Sequence, residues 1–420
     1  MIPAEVYTER RKKLMKLLGT GVIVIPPNPK MKYSQDKYFK YRPNSNIFYL
    51  SGMIQEDTII VLDNISKKSY LFLLDQDYDY QRWHGRKIDR EYAGELSNFI
   101  FVYPIHELKQ KLLELLKSED TLYYQSGVNL QYDRIIEEVE NEIEIKIKDP
   151  SPSIDTLRLF KDEYEIELLK KSASITVNGH LEAIRKTKIG MKEHEIESIY
   201  TGYFHFNGAI LPMHQAIVAS GENAIYLHHM AFTRQIQDGD LILVDTGCEY
   251  MGYTTDIART WPANGKYSKS QKMIYEIVLR THKICLEKVK PYVKFRDIHE
   301  TAVMELTKGL IELKIINESL EDAINNESYK KYFMHYIGHF IGLDGHDSLT
   351  TNREEITLTP GMTITIEPGL YISDEKDIPE IFRNIGIRIE DNLLVTETGM
   401  INLSKDLPIE IEEIENLMIE

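Results

Sequence analysis

Leu241-Ile242-Leu243-Val244-Asp245-Thr246-Gly247 is an apolar, β-type run that closes on a carboxylate, and Tyr253-Thr254-Thr255-Asp256-Ile257-Ala258-Arg259 follows it with a second acid. The same arrangement returns downstream. Thr363-Ile364-Thr365-Ile366-Glu367-Pro368-Gly369 again ends a strand-like run on an acid, and Ile385-Gly386-Ile387-Arg388-Ile389-Glu390 carries its counterpart. Runs of this composition read as buried strands. An acid placed inside one is costly to bury unless something compensates its charge. One such acid is as readily a salt-bridged or turn-capping residue, but four in two matching settings require a shared partner. A cluster of divalent metal ions supplies it and points to a hydrolase. The doubling also suggests two halves related by internal pseudo-symmetry.

The spacing refines this picture. Asp245 and Asp256 lie eleven positions apart, with Gly247 and Gly252 marking a turn between them. Adjacent antiparallel strands joined by that turn let the two acids converge, whereas one continuous strand would point them to opposite faces. Arg388 and Glu390, two apart, share a strand face. His335 and His339 are four apart in Met334-His335-Tyr336-Ile337-Gly338-His339-Phe340, and His346 follows in Gly342-Leu343-Asp344-Gly345-His346-Asp347. The pair has the spacing of a zinc-protease helix but lacks the Glu beside the first His, and Gly338 argues against a helix. Four carboxylates and one imidazole make an oxygen-rich set, suited to Mn²⁺, with Co²⁺, Fe²⁺ or Zn²⁺ as substitutes. Two such ions, ~3.5–4 Å apart, would share the carboxylates and hold a bridging hydroxide near neutral pH. A phosphate-binding loop, a Ser nucleophile elbow and paired Cys motifs are all missing from the sequence.

Bulk properties set the outer limits. The chain has 420 residues, 42% hydrophobic and 28% charged, enough for two sizeable cores. A formal charge of −16 argues against nucleic acid and against an anionic membrane surface as partners. Two cysteines, Cys248 and Cys285, fit a reducing compartment, so a cytoplasmic location is expected. The first residues, with Glu5 and Glu9 among the basic ones, read as an amphipathic helix rather than a signal peptide.

The first 150 residues alternate helical and strand patterns: a helix over 10–18, strands over 21–25, 58–62 and 70–74, and a helix over 108–116. Asp149-Pro150-Ser151-Pro152-Ser153 breaks both periodicities and reads as a linker. The expected architecture is therefore α/β (α+β): an N-terminal mixed α/β domain over 1–152, and a C-terminal domain over 153–420 with an antiparallel, pseudo-twofold sheet flanked by helices. Helices are expected over 161–183, 268–288 and 295–313, and an acidic surface helix over 408–418.

These motifs resemble the proline-specific "pita-bread" metallopeptidases, with the best agreement to the aminopeptidase P group. The likeness rests on Val244–Tyr250, Tyr253–Thr260, His339–Asp347, Thr365–Tyr371 and Ile385–Asp391, and runs from about Leu157 to Met418. It extends into the first half through Tyr41–Gly52 and Trp83–Lys87, which favours a creatinase-type N-terminal domain. The resemblance implies that Asp245, Asp256, His339, Glu367 and Glu390 bind two Mn²⁺ ions, with Asp256 and Glu390 bridging. It makes Glu367 the general base and His346 the group that steadies the tetrahedral intermediate. His335 and His228 would line the substrate pocket, Arg388 would hold Asp245, and Tyr371 and Trp83 would contact substrate. Trp83 and Asp36 match positions that reach a neighbouring subunit's site in tetrameric relatives, so a homodimer or homotetramer is expected. The chain departs from the family pattern at Tyr336, commonly Gly, at Gly345, commonly Val, and in the loop Ser348–Thr359.

The implied activity is release of the N-terminal residue from peptides with proline second. A prolidase restricted to Xaa-Pro dipeptides shares Ile387–Asp391, but the stretches Thr396–Gly399 and Glu413–Leu417 favour the aminopeptidase. A metal-free binding or chaperone module of the same fold, or a creatinase-like amidinohydrolase, would be expected to lose ligands, and this chain keeps all five.

Overall fold

The computed structural model describes residues 2–74, 78–209, 211–212, 216–230, 233–348 and 350–419. The chain divides into two units, 1–158 and 159–420. The division falls six residues past the boundary expected from sequence, because Pro150 and Pro152 do not form a linker. They flank and open the helix Ser151–Arg158, where a missing N–H costs nothing.

The first unit is built on one mixed sheet. Its strands are β1 (Val22–Ile25), β2 (Ile59–Asp63), β3 (Lys68–Leu73), β4 (Phe101–Pro104), β5 (Thr121–Tyr124) and β6 (Lys146–Lys148), in the order β4-β3-β2-β1-β5-β6. The three N-terminal strands are those expected from their apolar runs. The stretch Tyr41–Gly52 holds a short helix, Ser45–Ser51, that the sequence reading left unassigned. The Asn44 side chain caps it by accepting from the Asn46 N–H at 2.8 Å, and Gly52 ends it in the left-handed region.

The second unit carries strands β7 (Leu211–Pro212), β8 (Ile217–Ser220), β9 (Leu241–Thr246), β10 (Cys248–Tyr250), β11 (Tyr253–Thr254), β12 (Ile257–Pro262), β13 (Thr363–Ile366), β14 (Gly369–Ile372), β15 (Ile385–Arg388), β16 (Asp391–Val395) and β17 (Met400–Asn402). They form antiparallel sheets ordered β12-β9-β8, β13-β16-β17, β11-β10-β7 and β14-β15. The expected doubling is visible in the register. β9 pairs with β12, with Asp245 opposite Ala258, and β13 pairs with β16, with Ile366 opposite Asp391. Asp245 is the last residue but one of β9 and Glu367 directly follows β13, while Asp256 and Glu390 come just before β12 and β16.

Long helices cover these sheets: Glu163–Lys186, Glu193–Phe206, Lys269–Lys288 and Phe295–Glu312. The capping box of Asp162 with Glu165 starts the first, and that of Ser268 with Gln271 starts the third. Trp261, Tyr275, Phe295 and Phe333 are buried in the core they enclose. The C-terminal helix, Ile411–Leu417, is less of a surface element than its acidity suggested, since Ile414 and Leu417 are buried. No helix among the described residues is long and apolar enough to cross a membrane.

Candidate metal centre and cavity

The strand ends deliver the acids to one place. Asp256 Oδ2 lies 3.6 Å from His339 Nε2, and Glu367 Oε1 and Glu390 Oε1 each lie 3.9 Å from the same nitrogen. Ligand atoms of Asp256, His339 and Glu390 all fall within 4.8 Å of one another, and all three residues are buried. The His339 ring is oriented by its other nitrogen, Nδ1, which sits 3.0 Å from the Phe340 carbonyl. That bond directs Nε2 at the carboxylates.

His339 is not on a helix. Residues 337–341 run instead along β13: the Thr365 N–H donates to the His339 carbonyl (2.9 Å), and the Glu367 N–H to that of Ile337 (2.8 Å). Gly338 permits this approach, since a Cβ there would lie 2.0 Å from the Thr365 carbonyl oxygen.

Asp245 is held differently. Arg388 Nη1 donates to its Oδ2, while Arg388 Nε donates to Tyr371 Oη at 2.6 Å. The Tyr371 hydroxyl also meets His335 Nε2 at 2.9 Å, and His335 Nδ1 lies 2.9 Å from the Tyr336 carbonyl. Tyr371 is buried and lies behind the cavity wall rather than in it. It reaches the site through Arg388 and His335, not as a surface open to substrate. Asn392, unmarked in the sequence reading, secures Asp256 from behind. Its Oδ1 accepts from the Asp256 N–H at 3.0 Å, and its Nδ2 donates to the Asp256 carbonyl.

The electrostatics are those of a site suited to a cation. Burial, then repulsion from Asp245, raises Asp256 well above the usual carboxylate range. Burial, then Asp256, does the same to Glu390. Burial lifts Glu367 to about 8 despite Arg388. His339 and His335 are both pushed down to about 3 by burial, aided by His346 and by Arg388 respectively. Both carboxylate oxygens of Glu390 are buried and meet no hydrogen-bond donor among the described residues. Buried acceptors left so are costly, and a divalent ion would satisfy them. The donor set of carboxylates and one neutral imidazole fits that ion.

A cavity of about 650 Å³ opens over this cluster. Asp245, Asp256, His339 and Glu367 form its polar side together with His335, His346 and Arg388. Ile217, Leu227, His228 and Met230 supply another side, and Tyr336 and Arg353 stand in the wall as well. The His346 ring is exposed, with its centroid 4.2 Å from that of His339. Trp83 belongs to the first unit, on the helix Tyr78–His84, and is 85% exposed. It is not among the residues that line this cavity. Asp36 is likewise exposed in that unit. The sequence reading missed Leu227, Met230, Tyr336 as a wall residue, and Arg353. None has a signature apart from its place in the fold.

A family model described as metallopeptidase family M24 matches residues 167–397, and one described as the aminopeptidase P N-terminal domain matches residues 7–123. The chain is 34% identical over 422 residues to the Xaa-Pro aminopeptidase of Haemophilus influenzae, covering 99% of this chain and 98% of that one. It is 34% identical over 433 residues to the Xaa-Pro aminopeptidase of Escherichia coli, covering 100% and 98%. A substrate complex of an E. coli aminopeptidase P variant matches the structure with a TM-score of 0.95 at 33% identity, covering 100% of this chain and 98% of that one. The M24 match spans more than half of the residues and includes every acid of the doubled pattern. The chain belongs to metallopeptidase family M24, and it joins that catalytic fold to an N-terminal domain of the aminopeptidase P type.

Proposed function

We propose that this chain is a manganese-dependent Xaa-Pro aminopeptidase, which releases the N-terminal residue from peptides with proline in second place. The observation that carries the reading is the convergence of Asp256, His339, Glu367 and Glu390 under one cavity. Likeness over the full chain to proteins named for this activity supports it. Asp245, Asp256, His339, Glu367 and Glu390 would hold two Mn²⁺ ions, which would supply a hydroxide nucleophile near neutral pH.

The chain's own residues do the rest. The Glu367 carboxylate takes the proton from the attacking water as general base and passes it to the proline nitrogen as the C–N bond breaks. His346, exposed beside His339, donates to the oxygen that gains charge when the amide carbonyl is attacked. Arg388 fixes Asp245, and Tyr371 fixes Arg388 and His335 in turn. His335 and His228 meet the peptide. The apolar side chains of Ile217, Leu227 and Met230 suit a proline ring, which has no N–H to satisfy. The exposed Trp83 and Asp36 of the first unit are consistent with assembly into a homodimer or homotetramer. Two buried, unlinked cysteines are consistent with a cytoplasmic setting.

The test is steady-state hydrolysis of an Xaa-Pro-Xaa tripeptide, the matching Xaa-Pro dipeptide and an Xaa-Ala-Xaa control, by protein stripped with EDTA and reloaded with Mn²⁺. The expected result is metal-restored cleavage of the proline tripeptide and little of the alanine control. Cleavage of the dipeptide alone would make the chain a prolidase.

A second expectation follows from the raised acids. Without a bound cation, burial puts Glu367 at about 8, so this carboxyl holds its proton at pH 7, and Asp256 and Glu390 are raised in the same direction. Ligation requires the deprotonated forms. Mn²⁺ uptake at pH 7 will therefore release protons, and affinity will rise as the pH climbs toward 8. Calorimetric titration in two buffers of different ionisation enthalpy counts the protons. Uptake with none released would contradict the charge state assigned to the cluster.

A further inference from the structure

We propose that Glu193 and His229 form a positioning latch that fixes the His228 wall of the cavity and thereby sets affinity for the peptide. The inference rests on the peptidase reading above. Leu227, His228 and Met230 all come from one short segment. It follows the 3₁₀ turn Gly221–Ile225 and has neither strand nor helix of its own. Leu227 is half-buried against the cluster of Ile217, Leu243 and Tyr371, but Met230 is 54% exposed and His228 is exposed too, so burial does not hold those two side chains in place.

The upstream end of the segment is anchored by backbone packing. The Ala224 carbonyl lies against Gly386 of β15, where a Cβ would approach its oxygen to 2.0 Å. The downstream end has Glu193. This residue opens the helix Glu193–Phe206 and is fully buried. Its Oε1 accepts from the Ser220 N–H (2.7 Å), the Ser220 hydroxyl (2.8 Å) and the Asn223 amide (3.0 Å). Its Oε2 lies 2.9 Å from His229 Nε2, and His229 is itself 8% exposed.

One carboxylate therefore grips the last residue of β8, the 3₁₀ turn and the residue next to His228. Arg234 reinforces the fixed end, donating from Nη1 to the Ser220 hydroxyl at 3.0 Å and pairing with Asp240 at 2.5 Å. With the latch closed, His229 holds the backbone from which His228 projects. With it open, the segment keeps its Gly386 anchor and the packing of Leu227 but loses its second anchor, and His228 and Met230 must be ordered by the peptide itself. That ordering cost falls on binding. Among the described residues no hydrogen bond or ion pair joins Glu193 or His229 to the acids, so the chemical step is spared.

The experiment uses the Mn²⁺-loaded full chain with His229→Ala and His229→Gln. The Gln amide can still donate to Glu193. Expected for His229→Ala is a KM raised roughly 10-fold for the Xaa-Pro-Xaa tripeptide, kcat within about threefold, and unchanged manganese content. His229→Gln should recover most of the KM. Hydrogen exchange on the same proteins should show residues 225–230 exchanging faster in His229→Ala, while β9 exchanges at the wild-type rate. Unchanged KM and unchanged exchange would overturn the proposal, as would a loss of metal that accounts for the loss of activity. A wild-type chain inactive on every Xaa-Pro peptide would sink the peptidase reading alone. The exchange of 225–230 would then still decide whether the latch exists.

Discussion

Asp256→Ala is expected to leave a folded chain that no longer binds Mn²⁺, with kcat/KM lower by on the order of 10³-fold or more. The size of the effect follows from where the carboxylate sits. Asp256 belongs to the triad with His339 and Glu390, whose ligand atoms lie within 4.8 Å of one another. Its loss leaves one imidazole and the remaining acids to hold a doubly charged ion. The fold survives because the backbone of Asp256 is secured independently of its side chain. Asn392 bonds both its N–H and its carbonyl, and the neighbouring Ile257 begins β12 in register with Thr246. Removing the acid also removes repulsion from a site whose carboxylates are raised in the metal-free state. The metal-free variant should therefore melt no lower than the metal-free parent, while Mn²⁺ raises the melting temperature of the parent only. Metal analysis, melting with and without Mn²⁺, and tripeptide kinetics on one preparation check all three. Near-normal activity with full metal content would remove Asp256 from the centre.

The residues that proved legible in the sequence were those that broke a rule. An acid in a β-branched run is out of place, and Asp245, Asp256, Glu367 and Glu390 announced themselves by that conflict. The pair β9–β12 then followed from the turn between Asp245 and Asp256, whereas the run 385–390 coupled with 363–369 in the sequence forms β15 and pairs with β14, and β13 pairs with β16 instead. His339 was visible as a residue type but not in its conformation. The i, i+4 spacing with His335 has the look of a helix, and only the contact of Gly338 with Thr365 turns it into an extended segment along β13.

What stayed hidden depends on contacts between distant positions. Glu193 and His229 are 36 residues apart, and Asn392 reaches Asp256 across 136. Neither pairing leaves a local trace. Tyr371 was read as a substrate contact on the family likeness of Thr365–Tyr371. Its hydroxyl is instead spent on Arg388 and His335. The helix Glu193–Phe206 buries Ile196, Tyr200 and Phe204, a stripe at spacing four that the aromatic-rich sequence obscured.

Glu367→Gln separates proton transfer from metal binding, and its expected cost in kcat is about 10³-fold. The substitution keeps the shape of the side chain and the backbone bond from residue 367 to the Ile337 carbonyl at 2.8 Å. It removes the charge. In the metal-free chain that charge is withheld, since burial outweighs Arg388 and sets Glu367 at about 8. Bound cations would lower that value and make the carboxylate available as a base at neutral pH, whereas an amide cannot accept the proton at any pH. The ligand role and the base role predict different responses to added metal. If Glu367 only holds a cation, excess Mn²⁺ will refill the site and return kcat toward the parent value. If it also takes the proton from the attacking water, kcat stays low at saturating Mn²⁺ while KM moves little. Retained manganese with low kcat is the expected result. Recovery of kcat on titration with Mn²⁺ would assign the base to another residue.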